Sequence, residues 1–342
     1  MKIAIDAMGG DFAPREIVQG SILALHDSEI KSLSQNALEI ILVGQKDKIQ
    51  HELSLIHKVP FERLSILNTS EIVEMDESPA QACKQKKDSS IIRCCELVGQ
   101  HTADACISAG NSGATMAASL ITCGRLEGVL RPAIVTIVPT TNGVSVLVDA
   151  GANVDCKPKH LLQFAIMGDV FAQTALNFKN PRIGLLSIGE EESKGNDLIF
   201  KTQELLKKAS INYIGNVEGR DIVNGQCDVI VCDGFVGNVA LKAIEGVGEL
   251  VFKLLSKELH SNLITLIGTF LAAPAFRRFK RTIDYREYGG APLLGINGLS
   301  MITHGKSNAF AIKNAVRATL RSLNKNITHV LGERILAYGQ EF

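Results

Sequence analysis

The sequence predicts an α/β sandwich built on a mostly parallel sheet, and three observations carry that prediction. Short runs rich in Ile and Val recur along the 342 residues. Most of them do not alternate apolar with polar residues, which is the pattern of strands buried on both faces of a sheet. Stretches with helical patterning lie between nearly all of them, as parallel strands require.

The elements follow in order. A strand is expected at 2–7 ("KIAIDA"), then a helix at 14–26. A strand at 38–43 ("LEIILV") leads into a helix at 46–57, and a strand at 64–68 into a long helix at 79–100. The run at 104–108 ("DACIS") precedes a helix of small residues at 112–124. Strands at 133–138 and 144–149 differ from the rest, because only "PTTNG" separates them; they read as an antiparallel hairpin. A helix at 159–178, a strand at 182–188, a helix at 197–209 and strands at 211–216 and 228–233 complete the alternation, closed by a helix at 235–257. No Pro- or Ser-rich linker, repeat or low-complexity tract divides the chain, so one continuous domain over 1–342, with room for two lobes, is expected.

Composition narrows the function classes. Thirty-six basic and 36 acidic side chains cancel, which argues against a dedicated nucleic-acid binder. The eight cysteines have no CxxC spacing and no His cluster beside them, so they read as reduced, buried thiols of a cytosolic protein. The N-terminus enters a strand pattern without a signal-peptide core, and no apolar run is long enough to span a bilayer.

Ligands of open α/β sheets bind beyond the carboxyl ends of strands. Five loops at such ends share a Gly, Asn, Asp and Ser composition: Asp6 with Gly9, Gly10 and Asp11; Gly110, Asn111, Ser112 and Gly113; Asp149 with Asn153; Glu190, Lys194, Gly195 and Asn196; and Asp233, Gly234 and Asn238. A Gly-Asn turn before a helix is most often only a cap. Five such loops, expected at one edge of a single sheet, suggest a cleft lined by amide donors and suited to a phosphate or a developing oxyanion. Lys194, Lys242 and Lys306 stand close to these loops, either as ordinary surface lysines or as neutralisers of an anion. His304 is a candidate proton donor, although a lone His is more often structural. Scattered carboxylates at strand ends cap helices more often than they bind magnesium.

Familiar motifs are missing. No GxGxxG follows a strand, and neither HExxH nor GxSxG occurs. The stretch "HGKS" at 304–307 ends like a P-loop, but Ser300 stands where the first Gly of that motif belongs.

Residues 258–285 form an amphipathic segment expected to project from the domain. Leu263, Leu266, Ile267, Phe270 and Leu271 recur at i, i+3, i+4, i+7 and i+8, Pro274 should bend or end the helix, and Arg277, Arg278, Lys280 and Arg281 follow. Fourteen residues reach only about 21 Å, too short to cross a bilayer. An apolar face beside a cationic cluster suits an anionic membrane surface; a dimer-interface helix, or a contact with an acidic carrier protein, fits the same residues.

Taken together, "IAIDAMGGDFAP", "ISAGNSGATMA", "RPAI", "LVDAGAN", "LLSIGEEESKGN", "EGRDI", "VCDGFVGNVALK" and "EYGGAPLLGINGLSMITHGKSNAFAIKNAV" resemble the bacterial phosphate acyltransferases of phospholipid synthesis, in order and over nearly the whole chain. These enzymes make acyl phosphate from acyl-(acyl carrier protein) and inorganic phosphate. The stretch 76–90 fits less tightly, with Cys83 and Gln85 where a more basic run is expected. The resemblance implies a three-layer α/β/α sandwich similar to isocitrate and isopropylmalate dehydrogenases and to phosphotransacetylases. It also implies a homodimer, no cofactor or required metal, attachment to the inner face of the membrane, and a downstream membrane glycerol-phosphate acyltransferase as partner. Two other readings remain open at this stage: a soluble phosphotransacetylase using acyl-CoA, and a non-catalytic acyl-chain binding protein. A dehydrogenase of related fold is weaker, for want of a nicotinamide site.

Overall fold

A computed structural model describes residues 1–339, apart from the side chains of Lys280, Arg281, Ile283 and Tyr285. Its strands are β1 (Lys2–Asp6), β2 (Glu39–Gly44), β3 (Leu64–Asn68), β4 (Ala105–Ser108), β5 (Ala133–Thr140), β6 (Gly143–Val148), β7 (Ile183–Leu186), β8 (Tyr213–Val217), β9 (Val229–Val231), β10 (Ala291–Leu294) and β11 (Ser300–Ile302). Its α-helices are α1 (Arg15–His26), α2 (Ser28–Leu33), α3 (Lys46–Ser54), α4 (Pro79–Gln85), α5 (Ser90–Gly99), α6 (Ser112–Thr122), α7 (Pro158–Leu176), α8 (Asp197–Leu206), α9 (Asp221–Asn224), α10 (Gly234–Leu259), α11 (Leu263–Ile283), α12 (Ala309–Asn324) and α13 (Ile327–Gly339).

All the strands belong to one sheet, ordered β3-β2-β1-β4-β11-β10-β5-β6-β9-β7-β8. Side-chain alternation sends successive residues to opposite faces, and both faces are covered. Ile3, Ile5, Ile40 and Leu42 pack with Ile17 and Val18 of α1 and Ile312 of α12. Ala4, Ile41, Val43 and Cys106 pack with Cys94 and Cys95 of α5 and Ala114 and Ala118 of α6. In the second half, Val146, Val148, Ile183 and Val229 pack on Phe164 and Ala165 of α7, while Leu147, Leu186 and Ile230 pack toward Leu241 and Ile244 of α10. This is the three-layer sandwich.

The direction of the strands decides where the loops go. β1, β2, β3, β4 and β11 run parallel to one another. Then β10 pairs antiparallel with β11 and with β5, and β5 pairs antiparallel with β6 over Thr140↔Gly143, the expected hairpin. β9, β7 and β8 follow β6. Two parallel halves therefore run in opposite senses, and their carboxyl ends open at opposite edges. The expectation of five loops at one edge is corrected here. A hairpin and one extra antiparallel strand reverse the sheet, and β10 and β11 were not expected. They are four and three residues long, with Pro292 and Ser300 inside them.

The helix expected over 79–100 is two helices, α4 and α5. The helix after Leu259 also departs from expectation, because α11 continues through Pro274 to Ile283. Proline deprives the carbonyl four residues earlier of its partner. That residue, Phe270, is 80 % exposed, so water can replace the lost donor. Of α10 only Gly234 and Gly237 are buried; its start packs on β6 and its later turns on α11. The helical pair leaves Leu263, Ile267, Phe270 and Leu271 exposed, with Leu266 less so, and Arg277 and Arg278 lie on the surface. The side chain of Lys280 lies outside the described ones. Among the described residues no helix is long and apolar enough to cross a membrane.

Candidate active site

The loops after β1, β4 and β11 meet at the edge of the first half. Asp6, at the end of β1, is buried and accepts the Ser108 hydroxyl at 2.7 Å; Ser108 Oγ in turn accepts the Gly110 amide at 3.0 Å. Burial pushes the Asp6 carboxyl above its usual range, against hydrogen bonds from Ser90 and Ser108. Gly9 lies so close that a Cβ on it would sit 2.7 Å from the Gly110 nitrogen, which is why the two loops can touch. The Asp11 amide bonds the Gly305 carbonyl at 2.8 Å, and the Thr303 amide bonds Ser108 O at 2.8 Å, which fastens the loop after β11 to the other two.

Asn111 caps α6. Its Oδ1 accepts the Ala114 amide at 3.0 Å, and its Nδ2 donates to the carbonyls of Met75 and Glu77, both at 3.1 Å. The side-chain donor expected of Asn111 is therefore occupied by the fold. What the cap leaves open is the amides of Ser112 and Gly113, which take no hydrogen bond among the described residues and sit at the positive end of the helix dipole. In the loop after β11, the His304 Nδ1 accepts the Lys306 amide at 3.0 Å. Burial lowers the His304 pKa, followed by the charge of Lys242, with Lys306 adding to it and Glu245 and Asp11 opposing. With Nδ1 accepting, the neutral ring carries its proton on Nε2. Lys306 is exposed and makes no ion pair among the described residues.

The loops after β6 and β9 meet at the opposite edge. Asp149 is fully buried and accepts five N–H groups: Ile134, Gly151 and Ala152 on Oδ1, and the Asn153 amide and Nδ2 on Oδ2, at 2.8–3.1 Å. Asn153 Nδ2 also donates to Pro132 O at 2.7 Å, so this side chain, like Asn111, holds the loop in shape. Asp233 caps α10 through the Val236 amide, and the Gly234 amide bonds Asn153 O at 2.7 Å. Asn238 stays exposed, its side chain 3.5 Å from where a Gly151 Cβ would stand. The loop after β7 lies on the same half. Asn196 caps α8 through Ile199, Glu190 pairs with Arg220 at 3.1 Å, and Asn216 holds the carbonyls of Glu191 and Lys194. Lys194 itself is exposed and unpaired among the described residues.

Helix α10 links the two edges. Its first turn touches the Asp149–Asn153 loop, and Leu241 packs against the buried cluster of Ile134, Leu293 and Ile302 that Met116 and Leu120 of α6 also cover. The next residue, Lys242, reaches the electrostatic neighbourhood of His304 while pairing with Glu245 at 2.6 Å. Of the sequence-predicted residues, Lys242 of α10 thus comes near His304, and Asn238 of α10 near Gly151, whereas residues 110–113 lie in the loop after β4 and the start of α6, Lys306 in the loop after β11 and Asn153 in the loop after β6. Sequence reasoning placed Ser108 in the loop after β4 and Ser307 in the "HGKS" stretch without giving either a role: Ser108 is the hub of the loops after β1 and β4, and the buried Ser307 Oγ has no partner among the described residues. It missed Glu245, three residues from Lys242, a spacing that does signal an ion pair on a helix. Among the described residues no group of His, Cys, Asp and Glu side chains has the geometry to hold a metal.

The loop after β6 predicts a pH effect. The His160 Nδ1 accepts the Lys157 amide at 3.2 Å at the start of α7, and burial, then Arg131 and Lys157, lower its pKa. A His with a depressed folded pKa contributes stability above its unfolded value of about 6.5 and loses it as pH falls toward the folded value. Melting temperature should therefore drop between pH 7 and 5 in the native chain and drop less in His160→Gln; equal slopes would contradict this.

With the geometry in place, comparison with known proteins decides the family. The family model described as Fatty acid synthesis protein matches residues 1–330. A phosphate acyltransferase of Pelotomaculum thermopropionicum is 50% identical over 96% of this chain and 93% of its own length. One from Halothermothrix orenii is 47% identical over 99% of this chain and its full length. The chain belongs to the phosphate acyltransferase family. It is therefore an acyl-transferring enzyme. Among solved structures, a Streptococcus pyogenes phosphotransacetylase is similar with a TM-score of 0.62 at 18% identity, covering 95% of this chain and 94% of that one. An Enterococcus faecalis branched-chain phosphotransacylase is similar with a TM-score of 0.56 at 15% identity, covering 94% and 99%. At such identities the likeness concerns the fold. It agrees with the expected phosphotransacetylase-like sandwich.

Proposed function

We propose that the enzyme transfers an acyl group from acyl-(acyl carrier protein) to inorganic phosphate, giving acyl phosphate and the free carrier thiol for phospholipid synthesis. A phosphate oxygen attacks the thioester carbonyl carbon; a C–O bond forms, the carbonyl oxygen takes the charge, and the C–S bond then breaks to release thiolate. Phosphate near pH 7 supplies the nucleophile, so the protein has to orient two substrates and stabilise charge. The observation that carries this reading is the pair of Ser112 and Gly113 amides left open at the start of α6, on a loop fastened through Ser108 to the one that leads to His304 and Lys306. Lys242 supplies positive charge from the facing helix, and Asn238 offers an amide to the carbonyl oxygen one turn away.

The exposed apolar face of α11 followed by Arg277 and Arg278 supports peripheral attachment to the cytoplasmic face of an anionic membrane. The uncovered apolar residues of α10, Val247, Leu250, Val251 and Leu254, support a homodimer through the same helical pair. A membrane glycerol-phosphate acyltransferase is the partner that would consume the acyl phosphate there. The reading is tested by thiol release from palmitoyl-(acyl carrier protein) with and without phosphate, beside palmitoyl-CoA. Release of carrier thiol only with phosphate is expected. Equal turnover of the CoA thioester would favour a phosphotransacetylase instead, and tight chain binding without release would remove the enzyme reading.

A further inference from the structure

We infer that the substrate's acyl chain lies in a cleft at the foot of α10, so that this helix measures out the substrate from chain to phosphate. The inference rests on the acyl-transfer reading above and adds where the two halves of the substrate pair go. The cleft has a volume of about 440 Å³, within the range of small-molecule sites. Its apolar wall is formed by Val154, Cys156, Leu198, Phe235 and Val236. Asp155 and Asp233 complete the lining, and their charge opposes entry of a phosphate while leaving a neutral chain unaffected. The Cys156 thiol is pushed up to about 12 by burial and by the charges of Asp149 and Asp233, so it stays neutral and adds to the apolar wall. Val154 and Phe235 are 65 % and 60 % exposed, an unusual state for large apolar side chains lining a concave site unless an apolar ligand covers them.

The cleft adjoins, along the chain, the residues already placed at the start of α10 and in the loop after β6. Asp233 caps the helix whose next turn carries Asn238, and Asn153 immediately precedes Val154. Along α10, Phe235, Asn238 and Lys242 are spaced i, i+3 and i+7 and share one edge, while Gly234, Gly237 and Leu241 turn to the sheet. From Phe235 to Lys242 is about 10 Å of helix rise. A thioester laid along this edge places its chain in the cleft, its carbonyl at Asn238, and the incoming phosphate beside Lys242 and His304.

The test compares kcat/KM for four-, eight- and sixteen-carbon acyl-(carrier protein) thioesters at saturating phosphate in the native chain, in Val236→Trp, which fills the cleft, and in Val239→Trp, which lies outside it on the same helix. Val236→Trp should lower the sixteen-carbon value by about 10- to 100-fold more than the four-carbon value. Val239→Trp should keep the native profile. Uniform loss at every length, an unchanged profile, or an altered oligomeric size in Val236→Trp would overturn the cleft while leaving acyl transfer standing. Absence of phosphate-dependent release in the native chain would instead count against the reading on which the inference rests. Binding is then read directly in the native chain. A sixteen-carbon acyl thioester should protect Cys156, located by peptide mass, from a methanethiosulfonate reagent, and a four-carbon one should protect less; equal labelling with and without the long chain overturns the proposal.

Discussion

Gly237→Ala should destabilise the protein by about 3 kcal/mol, among the largest effects of any single added methyl. A Cβ at this position would stand 2.0 Å from the Asp149 carbonyl oxygen and 2.9 Å from Cys232 Sγ. The carbonyl cannot retreat alone, because the Asp149 carboxylate holds Ile134 and the whole 151–153 turn through five hydrogen bonds. Either the helix start moves off the sheet or the loop breaks, and both carry Asn238 out of place. Gly246→Ala, in the same helix with nothing within 4 Å of the added carbon, is the control. It should gain about 0.5–1 kcal/mol from helix propensity alone. Urea midpoints of the two variants decide the matter: a Gly237→Ala chain as stable as the native one would refute the close contact between α10 and the loop after β6.

Lys242→Ala should cost about 10²- to 10³-fold in kcat/KM for phosphate with little change in melting temperature. Its side chain is exposed and pairs with Glu245 at the surface, so removal leaves no buried charge behind. The ammonium stands in the electrostatic neighbourhood of His304, and the same charge lowers the pKa of that ring. Saturation curves in phosphate at fixed acyl thioester would measure the loss. A variant with native phosphate kinetics would remove Lys242 from the site and leave Lys306 and the α6 amides as the anion holders.

Much of this was legible in the sequence, for reasons that particular residues make clear. Ile and Val runs such as Ile40 to Val43 reveal strands covered on both faces, and "PTTNG" reveals the hairpin. Glycines and capping residues at strand ends reveal loops. Strand direction is invisible at that level. β10 contains a proline and β11 has three residues; both are held by pairing on either side rather than by their own propensity. Without them the reversal of the sheet cannot be read, and loops at opposite edges look like one set. The roles of polar residues are blurred for a similar reason. Asn111, Asn153 and Asn196 have the composition of a ligand site, yet their side chains fasten Ala114, Pro132 and Ile199. Only contacts separate a donor facing solvent, as at Asn238, from one already used by the fold.

The most direct measurement is phosphorus NMR of the enzyme with palmitoyl-(acyl carrier protein) and inorganic phosphate. The account predicts a new resonance of a carboxylic–phosphoric anhydride, growing with free carrier thiol and abolished by hydroxylamine with formation of the hydroxamate. Free palmitate with an unchanged phosphate signal would mean that water attacks the thioester, and would contradict phosphate as the nucleophile.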